Sequence, residues 1–406
     1  MATFGGGNAN DAAATTTRRG SVPLDVDGYP VAPPGLELTQ VHIYVRHELD
    51  VLHTARQLRA AVASTDADGP GAHEGLPTRR VVERADGTAE VGECLLGELT
   101  DVGRSFGSNL RKLYVDRLRF LPDVVRSNDQ VYLRSTNMPR TIESLQQIVH
   151  GLYPAQKTVE GYTPHIRIRN AKDENLFGNT NSCKRLQILQ IGFAQAAAAA
   201  WNKTLEPLDK KISKYIDGNP VRLDGKPRAS GILDTIRAAD AHNVNFPPEF
   251  KEKGVLDVIE KAVVTEWFAG YGTEEVRRLG MGPLLSDLSR KMQVKTEKGD
   301  ADPAKILVHS THDTCLAALV STLESFDNKW PAFTAAITFE LFKKREDPVV
   351  PTTAWQNIIT VRQIIYVRVR YQNRNLPLPM CAEEGKHLPG SPEFCTFAAF
   401  RERVKS

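Results

Sequence analysis

The sequence predicts an α/β fold with a mixed central sheet and a mainly helical insertion. Three observations carry that expectation. Short β-branched and aromatic runs at 41–45, 131–133 and 305–309 read as buried strands. The second and third of these lead straight into helical patterns, with a long, mainly helical stretch between them. Segments 335–342 and 364–371 then alternate like paired antiparallel strands, which makes the sheet mixed. The 406 residues suffice for two to three domains, or for one large domain with an insertion.

Taken in order, residues 1–37 are rich in Gly, Ala, Thr and Pro and too polar to bury a core, so they read as a disordered tail. Arg18, Arg19 and several threonines leave a mitochondrial presequence as an alternative, against which the poor amphipathicity counts. No apolar stretch follows a basic start, so a cytoplasmic chain is expected, with the mitochondrion as the alternative. The strand at 41–45 ends on Arg46 and His47. A helix at 54–62 follows, and then a long surface loop at 64–93, crowded with Gly, Pro, Asp and charge. Thr100 reads as the N-cap of a helix to about 118, with Val102, Phe106, Leu110, Leu113 and Tyr114 on one face. The strand at 131–133 ends on Arg134, and a helix runs through Ile142 and Leu145 until Tyr153 and Pro154 stop it.

Residues 155–300 read as a helical cap, clearest at 212–216, 232–239, 255–268 and 274–291. The α/β domain is then expected from 38–154 and 301–406. Its third strand leads through Ser310 and Thr311 into His312, Asp313 and a helix at 314–323.

Composition excludes several classes. A hydrophobic share of 41% and a charged share of 25% are ordinary for a globular protein. A formal charge of +3 is too balanced to argue for nucleic acid or an anionic membrane as partner. No run approaches the ~18 apolar residues of a transmembrane helix. The cysteines, Cys94, Cys183, Cys315, Cys381 and Cys395, form no CxxC pair, so no metal site is expected. Cys381 and Cys395 bracket a Gly/Pro-rich loop, a bridge in an oxidising compartment and free thiols in a reducing one.

In an open α/β sheet the carboxyl ends of neighbouring strands line the ligand crevice. Arg46, His47, Arg134, His312 and Asp313 all stand at such ends. Two arginines fork onto phosphate oxygens. A neutral histidine takes up a phosphoryl group, a second histidine donates to it, and an adjacent carboxylic acid protonates the leaving alkoxide. Such a set transfers phosphate by positioning and charge stabilisation. Each part alone has a bland reading: Asp313 as a helix cap, Arg134 in a surface ion pair, a histidine at a strand end as structural. The joint pattern carries the weight.

That pattern resembles the histidine acid phosphatase family of the histidine phosphatase superfamily. Arg134-Ser-Thr-Asn-Met-Pro-Arg140-Thr-Ile-Glu-Ser144 is similar to the family's R-S-T-D-x-x-R-T-x-x-S segment, and Gly151-Leu-Tyr-Pro154 follows at the family's spacing. Gly97-Glu-Leu-Thr-Asp-Val-Gly103 resembles G-x-L-T-x-x-G, and His312-Asp313-Thr314 resembles H-D-x-T with the threonine one place early. Asp173-Glu-Asn-Leu176 and Leu233-Asp-Thr-Ile-Arg-Ala-Ala-Asp240 look closest to the fungal-type and lysophosphatidic-acid-phosphatase-like branch. The resemblance implies a three-layer sandwich with an inserted helical cap, and an acid phosphatase that acts on phosphomonoesters through a phosphohistidine. It implies His47 as nucleophile, Asp313 as proton donor, and Arg46, Arg134 and His312 as phosphate ligands. It also implies that no cofactor or metal is required, and it leaves the oligomeric state open.

One motif departs. Where the family has R-H-G-x-R-x-P, this chain reads Arg46-His47-Glu48-Leu49-Asp50-Val51-Leu52. The glycine, the second arginine and the proline are gone, and Glu48 and Asp50 bring negative charge. Losing one such donor costs about 10²–10³ in rate, and Arg56 is the nearest replacement in sequence. The loss is confined to one block, which points to a deleted segment rather than slow decay. The alternative function is therefore a catalytically inactive relative that binds a phosphorylated ligand or a protein partner.

Overall fold

The computed structural model describes residues 23–47, 103–241, 245–252, 254–344 and 363–405, with the backbone of two short strands, β2 (Val82–Glu83) and β3 (Ala89–Glu90). A nine-stranded mixed sheet organises the chain. At its centre β1 (Leu36–Arg46) lies between β6 (Ile306–Thr311), to which it is parallel, and β7 (Ala336–Lys344), to which it is antiparallel. Beyond β6 come β4 (Val131–Ser135) and β5 (Ile166–Arg167), both parallel. Beyond β7 come β8 (Ile365–Tyr371), β11 (Ser391–Thr396) and β10 (His387–Leu388), all antiparallel, with β9 (Arg374–Leu376) paired to β8.

Helices cover both faces, giving the three layers expected. On one face, Val41, Ile43 and Val45 pack with Val131, Leu133, Ile306 and Val308 against α1 (Gly103–Arg111) and α2 (Pro139–Leu152). These two helices touch closely: a Cβ on Gly107 would lie 2.1 Å from the Ile148 carbonyl oxygen, so only glycine fits. On the other face, Tyr44, Ile337, Phe339 and Val369 pack against α8 (Gly282–Lys298), α9 (Asp313–Thr322) and α10 (Phe397–Lys405). Cys381 and Cys395 are joined in a disulfide beside α10.

Between β5 and β6 the chain is helical: α3 (Lys184–Leu205), α4 (Asp209–Ile212), α5 (Ala229–Ala241), α6 (Val255–Phe268), α7 (Glu274–Gly280) and α8. α3, α5 and α6 bury a hydrophobic cluster of their own, including Leu205, Ile236 and Ile259. The single helix expected over 274–291 is broken at Met281, just before Pro283, which has no N–H to continue the ladder.

The tail expected over 1–37 is shorter than composition suggested. Tyr29 is buried, and its hydroxyl donates to Glu340 Oε1 at 2.8 Å. Residues 1–22, the helix expected at 54–62, the loop expected at 64–93 apart from β2 and β3, the N-cap at Thr100 and Cys94 lie outside the described residues.

Candidate active site

β1, β6 and β4 run parallel side by side, with Arg46 opposite Thr311 and Ser135 opposite Ser310. Their carboxyl ends therefore open on one edge of the sheet, and α2 and α9 both begin there. Two helix N-termini at one edge favour an anion. A cleft of about 850 Å³ lies above this edge. Its floor carries Arg46, His47, Arg140, His312 and Asp313, and its walls are Phe193 of α3, Leu233 and Asp234 of α5, Trp267 and Phe268 of α6, and Trp330.

Arg46 is almost wholly buried, and both of its Nη groups are engaged while its Nε has no hydrogen-bond partner among the described residues. Its Nη1 donates to the Pro331 carbonyl at 2.7 Å, its Nη2 lies 2.9 Å from Asp313 Oδ2, and its guanidinium stacks 3.9 Å from the Phe333 ring centroid. His47 is also buried, with its backbone N–H donating to the Thr311 carbonyl at 2.8 Å and its ring 5.4 Å from that of His312. Burial, reinforced by the neighbouring Arg46 and His312, holds the His47 imidazole well below the usual histidine range. That favours the neutral ring, which keeps the lone pair that a nucleophile needs.

His312 is pushed down to about 4, first by burial and then by Arg140 and Arg46, against the opposing pull of Asp313. Its Nε2 lies 3.0 Å from Thr136 Oγ1, which in turn lies 2.8 Å from Thr141 Oγ1. Burial opposes ionisation of Asp313, but Arg46, His47 and His312 outweigh it, aided by the Trp330 indole N–H donating to Oδ2 at 3.0 Å. The Asp313 carboxyl is held below its ordinary range, and its Oδ1 accepts the Thr314 N–H at 2.7 Å.

The structure brings together four of the five residues singled out in the sequence and separates the fifth. Arg134, expected as a phosphate ligand, does not reach the cleft. It is 1% exposed and pairs with Glu174, with Asp287 3.8 Å away. The alternation of β4 turns Arg134 to the same side as Tyr132, away from Leu133 and the α2 layer. The arginine of this motif that lines the cleft is Arg140, in the first turn of α2. Thr136, Trp330 and Asp234 were also missed as site residues. Thr136 and Asp234 lay within quoted segments, whereas nothing local marked Trp330. Glu48, Asp50 and Arg56 lie outside the described residues, as do 97–102 of the glycine-bounded segment. Among the described residues, no cluster of His, Cys, Asp or Glu could hold a metal ion, and no helix is long and apolar enough to cross a membrane.

The family model described as histidine phosphatase superfamily (branch 2) matches residues 40–372. The chain is 35% identical over 350 residues to a probable acid phosphatase of Schizosaccharomyces pombe, covering 78% of this chain and 75% of that one. It is 29% identical over 263 residues to lysophosphatidic acid phosphatase type 6 of Homo sapiens, covering 63% of this chain and 59% of that one. The match thus spans about three fifths of that relative's length. Among solved structures, Hafnia alvei phytase in its apo form shares the fold with a TM-score of 0.55 at 13% identity, over 92% of this chain and 98% of that one. Multiple inositol polyphosphate phosphatase of Bifidobacterium longum, with inositol hexasulfate, gives 0.57 at 12% identity, over 95% and 96%.

Proposed function

The chain belongs to branch 2 of the histidine phosphatase superfamily, and on that premise we propose that it hydrolyses phosphomonoesters through a phosphohistidine. One observation carries the reading: a histidine kept neutral by burial faces the same cleft as two arginines, a second neutral histidine and a carboxyl group. His47 attacks phosphorus, so that a P–N bond forms as the P–O bond to the alcohol breaks. Arg46 and Arg140 take the charge of the phosphoryl oxygens, and neutral His312 donates from one ring nitrogen. Asp313 gives its proton to the departing alkoxide. Water then attacks the phosphohistidine, Asp313 takes up the proton that this water releases, and phosphate leaves as His47 is restored.

The aromatic wall of Phe193, Trp267, Phe268 and Trp330 supports a substrate whose organic part is largely apolar. Relatives named for lysophosphatidic acid agree with that wall.

The test is hydrolysis of p-nitrophenyl phosphate between about pH 4 and 7 by this chain and by His47→Ala. Turnover that disappears in the variant is expected. A second reading rests on the engagement of both Arg46 Nη groups by Asp313 and Pro331, together with the missing second arginine of the first motif. On that reading the chain binds phosphate without turning over. Thermal stabilisation by phosphate in a folded, inactive protein would favour it.

A further inference from the structure

The guanidinium of Arg46 is shared by two carboxylates. Its Nη2 lies 2.9 Å from Asp313 Oδ2 and 3.7 Å from Asp234 Oδ1. Asp313 stands at the sheet edge, whereas Asp234 comes from α5, across the cleft. The Asp234 side chain is 39% exposed, against 15% for Asp313, so it is the more easily displaced of the two.

The other charged residues that line the cleft on this side are paired. Arg228 lies 3.3 Å from Glu266, and Arg237 lies 2.7 Å from Glu260. His47 and His312, on the floor, are held neutral. The phosphate end is then set by Arg46 and Arg140 against Asp313 and Asp234. Among the described residues, this is two positive charges facing two negative ones. Beyond the two helix N-termini, side chains so balanced do not by themselves favour a doubly charged anion.

Taking the cleft as a phosphate site, as argued above, we propose that Asp234 is a specificity-determining residue: a carboxylate that occupies Arg46 in the free protein, yields it to phosphate, and selects the singly charged over the doubly charged phosphate group. As phosphate arrives it takes the place that Asp234 holds at Nη2, and the carboxylate stays within a few ångströms of the new anion. Its repulsion scales with the charge of that anion. The penalty on binding therefore doubles, on a logarithmic scale, when phosphate loses its second proton.

The test uses inorganic phosphate as the probe and calorimetry on the full chain, at about pH 5, where phosphate carries one charge, and about pH 8, where it carries two. Asp234→Asn preserves the shape of the side chain and removes the charge. Tighter binding is expected at both values, by about threefold at the lower pH and about tenfold at the higher. Asp234→Ser, read in the same way, guards against an effect peculiar to the amide. An equal gain at both pH values, or no gain while the wild type binds, overturns the proposal and leaves the phosphate site standing. Binding that emerges only in Asp234→Asn supports it. Absence of binding in every chain at both pH values overturns it together with the phosphate site itself.

Discussion

Arg134 and Arg140 lie six residues apart in one motif, and the structure places them differently, which on the proposed reading gives them different tasks. Replacing each by alanine separates the tasks. Glu174 is 4% exposed, and its Oε1 accepts the N–H groups of Asn175 and Leu176 at 2.8 Å each, besides pairing with Arg134. Removing Arg134 leaves that carboxylate buried without its cation, which costs about 3–5 kcal/mol. This is a large part of the roughly 5–15 kcal/mol that holds a domain together. Arg140 is half-buried on the cleft floor. On the proposed reaction, removing it takes away a donor to the phosphoryl oxygens, worth about 10²–10³ in kcat/KM, with a smaller loss of stability than Arg134→Ala. Urea denaturation and p-nitrophenyl phosphate kinetics on both variants form the assay. Where Arg134→Ala is too unstable to read, Arg134→Met combined with Glu174→Gln removes both charges together, recovering much of the stability and leaving turnover nearly intact. Normal stability with lost activity in Arg134→Ala, alongside normal activity in Arg140→Ala, would refute the assignment.

Two further outcomes follow from buried charges. Glu340 is fully buried and accepts Arg368 Nε at 2.7 Å and the hydroxyls of Tyr29 and Tyr114 at 2.8 and 3.0 Å. Glu340→Gln leaves Arg368 unneutralised and is expected to cost about 3–5 kcal/mol in chemical denaturation, and an unchanged midpoint would show that the network contributes nothing. His312 titrates near 4 in the folded chain and near the ordinary 6.5 when unfolded, so between those values the unfolded state binds more protons. Its contribution is complete above about pH 6.5 and is lost as pH falls towards 4. From pH 7 to pH 5 it removes about 2 kcal/mol. In His312→Asn the stability curve should be flatter by that amount, and an identical slope in both proteins would contradict the assignment.

The central strands were legible because β1, β4 and β6 are covered by helices on both faces, so their sequences are near-continuous apolar runs. The site was legible where strand ends alone position the residue, as for Arg46, His47, His312 and Asp313. It was not legible where the decision depends on a distant partner. Arg140 lines the cleft while Arg134 pairs with Glu174, 40 residues further on, and nothing within the motif encodes that pairing. Tyr29 is held by a glutamate 311 residues away, so the polar composition around it misled. α3 was passed over because its alanine-rich run has little contrast between faces, and it leaves Ile188 and Ile191 exposed, the latter lining the cleft. β5, β9 and β10 have only two or three residues each, too few to show a period.

The electrostatics of the floor impose an order on the proposed reaction. One of the arginines that lower the histidines, Arg46, also acts on the acid. Arg46 helps to keep His47 neutral and, through the same guanidinium, holds Asp313 ionised. The free protein therefore has its nucleophile ready and its proton donor discharged. A phosphate group entering the cleft draws Arg46 away from Asp313 and adds negative charge beside it, and both changes raise the affinity of Asp313 for a proton. Substrate binding and recharging of the acid are then one linked event, which low pH favours because protons are a reactant in it. Asp234, on the same guanidinium nitrogen, strengthens the link, since its charge opposes the phosphate until that group carries fewer charges. Mild acid is therefore the condition under which these residues bind a phosphate group and hold a proton for its alcohol at the same time.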